Sequence, residues 1–392
     1  MKIMFKIKCT MIAASFFISA TVFANTLTAE EMRIEPAIKV IPDTVNLFSE
    51  NVDDFSSRWQ KASTFNEATH MVREYSHQLW QTAKKHILVS KHADDRPLYW
   101  ARLMSSKTIR MTKPAFNISE TELTALLKDL EQGSRGRMEL AYTQDTSKKI
   151  LLTGFDPFLL DRHINQSNPS GIAALLLDGQ VIEYNGISAE INTVMVPVRY
   201  EDFDQGIIEN LLAPYYALNN VDMIVTVSMG RKEFDLERFP GKRRSVTAPD
   251  NLNVLSGGTK EKPVIPKLHQ RPLPGNEFVL FSLPIEAIKK AKGDYKVIDN
   301  HQVTSIGSSG KPITFKPEKL NNLSGHIAVN GSGGGYLSNE ISYRSIRLRD
   351  ELNSTIPTGH IHTPRIKQYE PEIETKIVEQ IRAMLEQALV AL

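Results

Sequence analysis

The stretch Lys149-Ile150-Leu151-Leu152-Thr153-Gly154-Phe155-Asp156-Pro157-Phe158 decides the fold class. Its first half is a short continuous apolar run that closes on a glycine, the pattern of a strand buried on both faces. The same texture returns at Ile191 to Val196, at Asp222 to Val227 and at His326 to Val329. Segments that read as helices lie between and after these runs: Ser170 to Leu177, Phe203 to Leu212, Pro284 to Lys290 and Glu372 to Leu392. In the last of them Ile373, Ile377, Val378, Ile381, Leu385 and Leu389 fall on one face. Strands alternating with helices predict an α/β fold, a three-layer sandwich around a mostly parallel central sheet. Residues 252–276 and 299–322 are rich in Pro, Gly and Lys and predict surface loops.

Upstream, residues 25–147 predict a helical extension followed by a linker. Ala68, Met71, Val72, Tyr75 and Leu79 recur at three and four, one buried helix face. A second helix carries Leu98, Trp100, Leu103 and Met104. A third opens on a capping box, Ser119 with Glu122, and stops near Gly133. The polar run from Gly133 to Lys149 reads as the linker. The histidines of this region, His70, His77, His86 and His92, are scattered and predict no metal site.

Residues 1–24 read as a secretory signal: Lys2, Lys6 and Lys8 precede an apolar run from Met11 to Phe23, and Val22-Phe23-Ala24 fits a cleavage site. The expected address is periplasmic or secreted, with no membrane attachment once the signal is cleaved. The single cysteine of the 392 residues, Cys9, lies in that signal. An exported chain then has no thiol, which excludes a disulfide framework, a cysteine-ligated metal and a cysteine nucleophile. The formal charge of +2 carries no nucleic-acid footprint.

In a parallel sheet, ligands gather beyond the C-terminal strand ends. Here those ends carry Thr153 to Phe158, Ser228 to Arg238, Asn330 to Asn339 and Gly359 to Pro364. They supply a serine (Ser338), a histidine (His362) and a carboxylate (Glu237). Nucleophilic hydrolysis needs a hydroxyl, a base and a group that orients the base. The glycines before Ser338 let backbone N–H groups approach a substrate carbonyl, and a helix start favours developing negative charge. Ser338 could equally cap a helix, Glu237 could pair with a neighbouring arginine, and His362 could be a packed strand residue. The glycine loop lacks the Gly-Lys-Ser/Thr ending of a phosphate-binding P-loop.

The ordered motifs resemble the pyroglutamyl-peptidase I family, cysteine peptidases that remove N-terminal pyroglutamate. Thr153 to Phe158 (TGFDPF), Asn168 to Ser170 (NPS), Val196-Pro197, Gly230-Arg231, Glu237-Arg238, Pro249-Asp250-Asn251, Phe281 to Ile285 (FSLPI), Asn330 to Tyr343 and Gly359 to Pro364 (GHIHTP) carry the likeness over residues 148–392. The resemblance implies a phosphorylase/hydrolase-like sandwich and a triad of Glu237, Ser338 and His362, with serine where the family has cysteine. It implies no metal and no cofactor. It also places Phe155, Phe158, Val198, Val227, Ala248 and Tyr336 around the substrate. Val198 and Val227 stand where the family has threonine and glutamine, Thr247 where it has arginine, and Leu159-Leu160 where it has two glycines.

The function expected from this resemblance is exported hydrolysis of N-terminal pyroglutamate, or a related residue, from a peptide. A catalytically inactive protein that binds peptides or a protein partner is the alternative. An esterase or amidase with an apolar acyl pocket is a third reading, and a homo-oligomer is left open.

Overall fold

A computed structural model describes residues 26–138 and 140–392. The signal segment read at 1–24 lies outside the described residues.

Among the described residues, seven helices precede the first strand. They are α1 (Ala29–Met32), α2 (Ile34–Val40), α3 (Pro42–Val45), α4 (Ser49–Lys61), α5 (Phe65–Val89), α6 (Arg96–Met111) and α7 (Glu120–Gly133). Local chemistry sets their starts. The Ser119 hydroxyl accepts from the Glu122 N–H while the Glu122 carboxylate accepts from the Ser119 N–H, so α7 opens on the predicted capping box. Thr64 caps α5 in the same sense. Ala68, Met71, Val72, Tyr75 and Leu79 form the buried face of α5. Trp59, Trp80 and Trp100 are fully buried between these helices.

The chain then alternates. It forms β1 (Lys148–Phe155), α8 (Pro169–Leu177), β2 (Gln180–Tyr184), β3 (Ile187–Val196), α9 (Tyr200–Asp204), α10 (Ile207–Leu218), β4 (Met223–Met229) and β5 (Phe234–Glu237). After a small ribbon of β6 (Lys267–Leu268) and β7 (Arg271–Pro272) come α11 (Ile285–Ile288), β8 (Val297–Asn300), β9 (Val303–Ile306), β10 (Pro312–Phe315) and β11 (Ile327–Asn330). The chain ends with α12 (Leu337–Glu351), β12 (Thr358–Thr363) and α13 (Pro371–Ala388). The central sheet has seven strands in the order β2-β3-β1-β4-β12-β5-β8. Strands β3, β1, β4 and β12 run parallel; β2 is antiparallel to β3, and β5 is antiparallel to β12.

The apolar runs bury both faces. Ile150 and Leu152 point into the core beneath α8 and α13, whereas Leu151 points into the core beneath α10 and α12. The helical extension continues the first of these cores through Trp59, Trp80 and Leu126. Trp80 Nε1 donates to Asp178, whose other carboxylate oxygen accepts from the Thr193 N–H at 2.7 Å.

Two expectations change. The strand read at His326 to Val329 is β11, but it belongs to a separate three-stranded sheet of order β10-β9-β11. Residues 299–322 are not all loop, since they contain the end of β8 and all of β9 and β10. These strands are four residues long with mixed exposure, so no continuous apolar run announces them.

Helix α13 brings Glu374 into a fully buried position. The Ser167 hydroxyl donates to one of its carboxylate oxygens, and the other has no partner among the described residues. Burial pushes this carboxyl up to about 8, against the opposing hydrogen bond from Ser167. The folded chain therefore holds a proton that the unfolded chain releases near 4.5. Between those two values the folded state binds more protons, so stability falls as pH rises. Glu374→Gln should remove this slope. Its denaturation free energy should gain on wild type by a few kcal/mol across the window, on the order set by such a shift. Asp95, also raised by burial, leaves a residual slope of the same sign. A stability difference that does not change with pH contradicts the assignment.

Candidate functional site

Strand alternation places one set of polar side chains on a single face of the sheet. In β4, Val225 and Val227 point into the α8/α13 core, so Thr226 and Ser228 point the other way, toward α12. In β12, Ile361 faces that same core, which leaves His360 and His362 beside Thr226 and Ser228. The register sets His362 opposite Ser228 in β4 and opposite Asp235 in β5. Leu236 again faces the core, so Glu237 falls on the face of His362.

There His362 Nδ1 meets the Glu237 carboxylate in a short contact, leaving Nε2 as the ring nitrogen free to exchange a proton elsewhere. Glu237 is fully buried. Its second oxygen accepts from Asn300 Nδ2 at 3.0 Å, and Arg231 Nη2 lies 3.7 Å from the first. Burial pushes the Glu237 carboxyl above the usual carboxylate range, and the adjacent His362 opposes that push. His360 stacks edge-on against His362 at 4.8 Å between ring centroids. Its two nitrogens meet the Thr226 and Ser228 hydroxyls, each at 2.8 Å. Burial holds it well below the ordinary histidine range, so it is neutral.

Ser338 sits in the first turn of α12. Tyr336, not Ser338, is the capping residue, and it makes no side-chain cap. The N–H groups of this first turn lack intrahelical acceptors and carry the positive end of the helix dipole. The glycine loop before it is dictated by space. A Cβ on Gly335 would lie 1.9 Å from Ser245 Oγ, and one on Gly331 would lie 2.1 Å from Asn339 Oδ1. A Cβ on Gly333 would lie 3.5 Å from His362 Cε1, so this loop passes directly over the imidazole. The Ser338 hydroxyl donates to the Gly333 carbonyl at 3.4 Å. Among the described residues no hydrogen bond joins Ser338 to His362.

A cavity of about 150 Å³ opens in front of Ser338. Phe155, Phe158, Val198 and Tyr336 line it, together with Ser228, Asn168 and Arg365. Tyr336 is fixed by its hydroxyl, which donates to the Pro249 carbonyl at 2.8 Å. Val227 and Ala248 do not line this cavity among the described residues. Val227 is on the opposite face of β4, where the two-residue period sends it into the core. Ala248 contributes its carbonyl to the Tyr200 hydroxyl at 3.2 Å. Asn168, Ser228 and His360 lie on the quoted motifs without a role of their own in them, and Asn300 carries no local signal. Asn300 lay in a segment read as loop, and only long-range pairing brings it to Glu237. Ser228 was signalled by its place at a strand end.

Two family models match the chain: the PA0049 N-terminal domain over residues 14–131, and the PA0049 C-terminal domain over 149–276 and 294–367. The second alone spans more than half of the chain. The protein belongs to the PA0049 family. A Pseudomonas aeruginosa relative, protein PA0049, is 28% identical over 357 residues, covering 71% of this chain and 64% of the relative. The chain thus spans just under two thirds of that relative's length. Among solved structures, pyrrolidone carboxyl peptidase from Pyrococcus furiosus is 21% identical with a TM-score of 0.41, covering 62% of this chain and 99% of the peptidase. A mutant of that peptidase gives 22% identity, a TM-score of 0.40 and the same coverage. A likeness of this size assigns no site residues to the family.

The Asn300 contact gives a direct test of the site's architecture. Asn300→Ala leaves one oxygen of the buried Glu237 carboxylate without its donor, while the Ser332 carbonyl, which accepts from Asn300 at 3.0 Å, keeps its bond from Arg231 at 3.1 Å. Leaving a buried acceptor unsatisfied costs about 1–3 kcal/mol, and more where it is charged. Chemical denaturation should show a loss of that size; a loss near zero contradicts the bonding assigned to Glu237.

Proposed function

We propose that this protein is a hydrolase that removes a small N-terminal acyl residue, pyroglutamate or a close relative, from peptides, with Ser338 as nucleophile. The observation that carries the reading is the buried pair of Glu237 and His362, set beside the glycine loop that leads to Ser338. A carboxylate that fixes one imidazole nitrogen makes the other a directed base. In the proposed reaction Ser338 turns its hydroxyl from Gly333 toward His362 Nε2. Oxygen attacks the acyl carbonyl as the proton passes to Nε2. The first-turn N–H groups of α12 receive the oxyanion. His362 then returns the proton to the leaving amine, and water releases the acyl group by the same steps reversed. The residues call for no metal or cofactor in this scheme. A serine where the pyroglutamyl-peptidase family has cysteine suits the proposed periplasmic or secreted setting, which the N-terminal pattern of lysines and apolar residues supports.

A second reading is favoured by one observation: the Ser338 hydroxyl bonds Gly333 and not His362. In that reading the cavity binds a peptide end, or a partner's, without turning it over. Both are separated by assay of a pyroglutamyl amide, a short acyl ester and an N-terminal alanyl amide. The hydrolase reading expects turnover of the pyroglutamyl amide, lowered by about 10³-fold or more in Ser338→Ala and in His362→Ala. Preference for the ester moves the substrate toward an apolar acyl group. Saturable binding with no turnover of any of the three supports the second reading.

A further inference from the structure

Asp156 follows Phe155 at the end of β1 and stands two residues before Phe158, and both phenylalanines line the cavity. Its backbone N–H donates to the Val196 carbonyl at 3.2 Å. Its carbonyl accepts from Asn168 Nδ2 at 2.9 Å, and Asn168 is also a cavity residue. Its carboxylate is fully buried and has an arginine on each oxygen. Arg102 Nη2 donates to Oδ1 at 2.7 Å and Arg135 Nη1 to Oδ2 at 2.7 Å.

Both arginines come from the helical extension, Arg102 from within α6 and Arg135 from just after α7. The placement is costly. Arg102 is fully buried, and its Nε and Nη1 have no partner among the described residues. Burial and the nearby Arg135 push its guanidinium down from its ordinary range. A buried ion pair of this kind is a weak source of stability against an apolar replacement, but it fixes geometry when its partners are rigid. The rest of the extension grips the neighbouring loops in the same way. Arg33 donates to the Asn251 carbonyl at 2.6 Å and to Asp161, and Asp95 accepts from the Asn168 N–H at 3.2 Å.

We propose that the Asp156 carboxylate, held between Arg102 and Arg135, is the positioning device through which the helical extension sets the shape of the cavity. The extension is therefore a lasting support behind the residues that line the site, not a segment removed before the site works. A binding site must be held by a supporting shell, and here that shell is supplied by another part of the chain. The role assigned to the cavity rests on the hydrolase reading, but the positioning itself does not.

Hydrogen exchange of residues 155–168 tests it in the full chain. In Arg102→Met these amides should exchange about tenfold faster or more than in wild type, with partial recovery in Arg102→Lys. Phe55→Leu, which loosens the core of the extension without touching β1, should leave them at wild-type rates. Wild-type rates in Arg102→Met overturn the proposal. If Arg102→Met does not fold, Asp156→Asn keeps the shape, removes the charge and carries the same expectation. Where turnover is present, Asp156→Asn should raise KM about tenfold or more with kcat within a factor of about three, the split expected of lost ground-state positioning. An unchanged KM also overturns it. Absence of turnover in wild type bears on the hydrolase reading alone, and the exchange rates still decide this one.

Discussion

A carboxylate without access to water has to be surrounded by donors or hold a proton, and this constraint organises the molecule around Asp156 and Glu237. Asp156 is surrounded by two arginines from the helical extension, 54 and 21 residues upstream in the chain. Glu237 is surrounded by an imidazole, an amide and a nearby guanidinium, drawn from β12, β8 and the loop after β4. The Glu237 arrangement depends on the sheet order. The antiparallel entry of β5 beside β12 turns Glu237 back toward His362, and β8 beside β5 supplies Asn300.

The site is a consequence of this order and of strand alternation. Strands β1, β4, β5, β8 and β12 contribute, but only every second residue of each reaches the face beneath α12. That rule separates Ser228, which lines the cavity, from Val227, which belongs to the core. The helix contributes its first turn, with N–H groups directed at the space before Ser338. The glycine loop is required by contact distances, since side chains at Gly331 and Gly335 would overlap neighbours on the loops around Gly241 and Ser245.

Much of the fold was legible in the sequence where the signal is local. The runs at Ile150 and Met223 are apolar because their strands are buried on both faces, and the capping box at Ser119 is a three-residue interaction. The short strands β5, β8, β9 and β10 were not legible, because each is four residues long and stabilised by pairing across the chain. The site was legible as candidates: Glu237, Ser338 and His362 lie on ordered motifs, and Glu237 and His362 meet. The partners that make Glu237 tolerable were not legible. Asn300 lies 63 residues from Glu237 in sequence, and no local pattern marks it. The arginines that hold Asp156 were hidden for the same reason, since a buried arginine and a surface arginine look alike in a sequence.

The central claim is that Ser338 is a nucleophile activated by His362 and Glu237. The most direct measurement is the site of covalent attachment of a small fluorophosphonate to the folded protein, located by intact mass and peptide mapping. The account predicts a single adduct on Ser338 that disappears when His362 is replaced by alanine. A folded wild-type protein that takes no adduct, or takes it on another residue, contradicts the account.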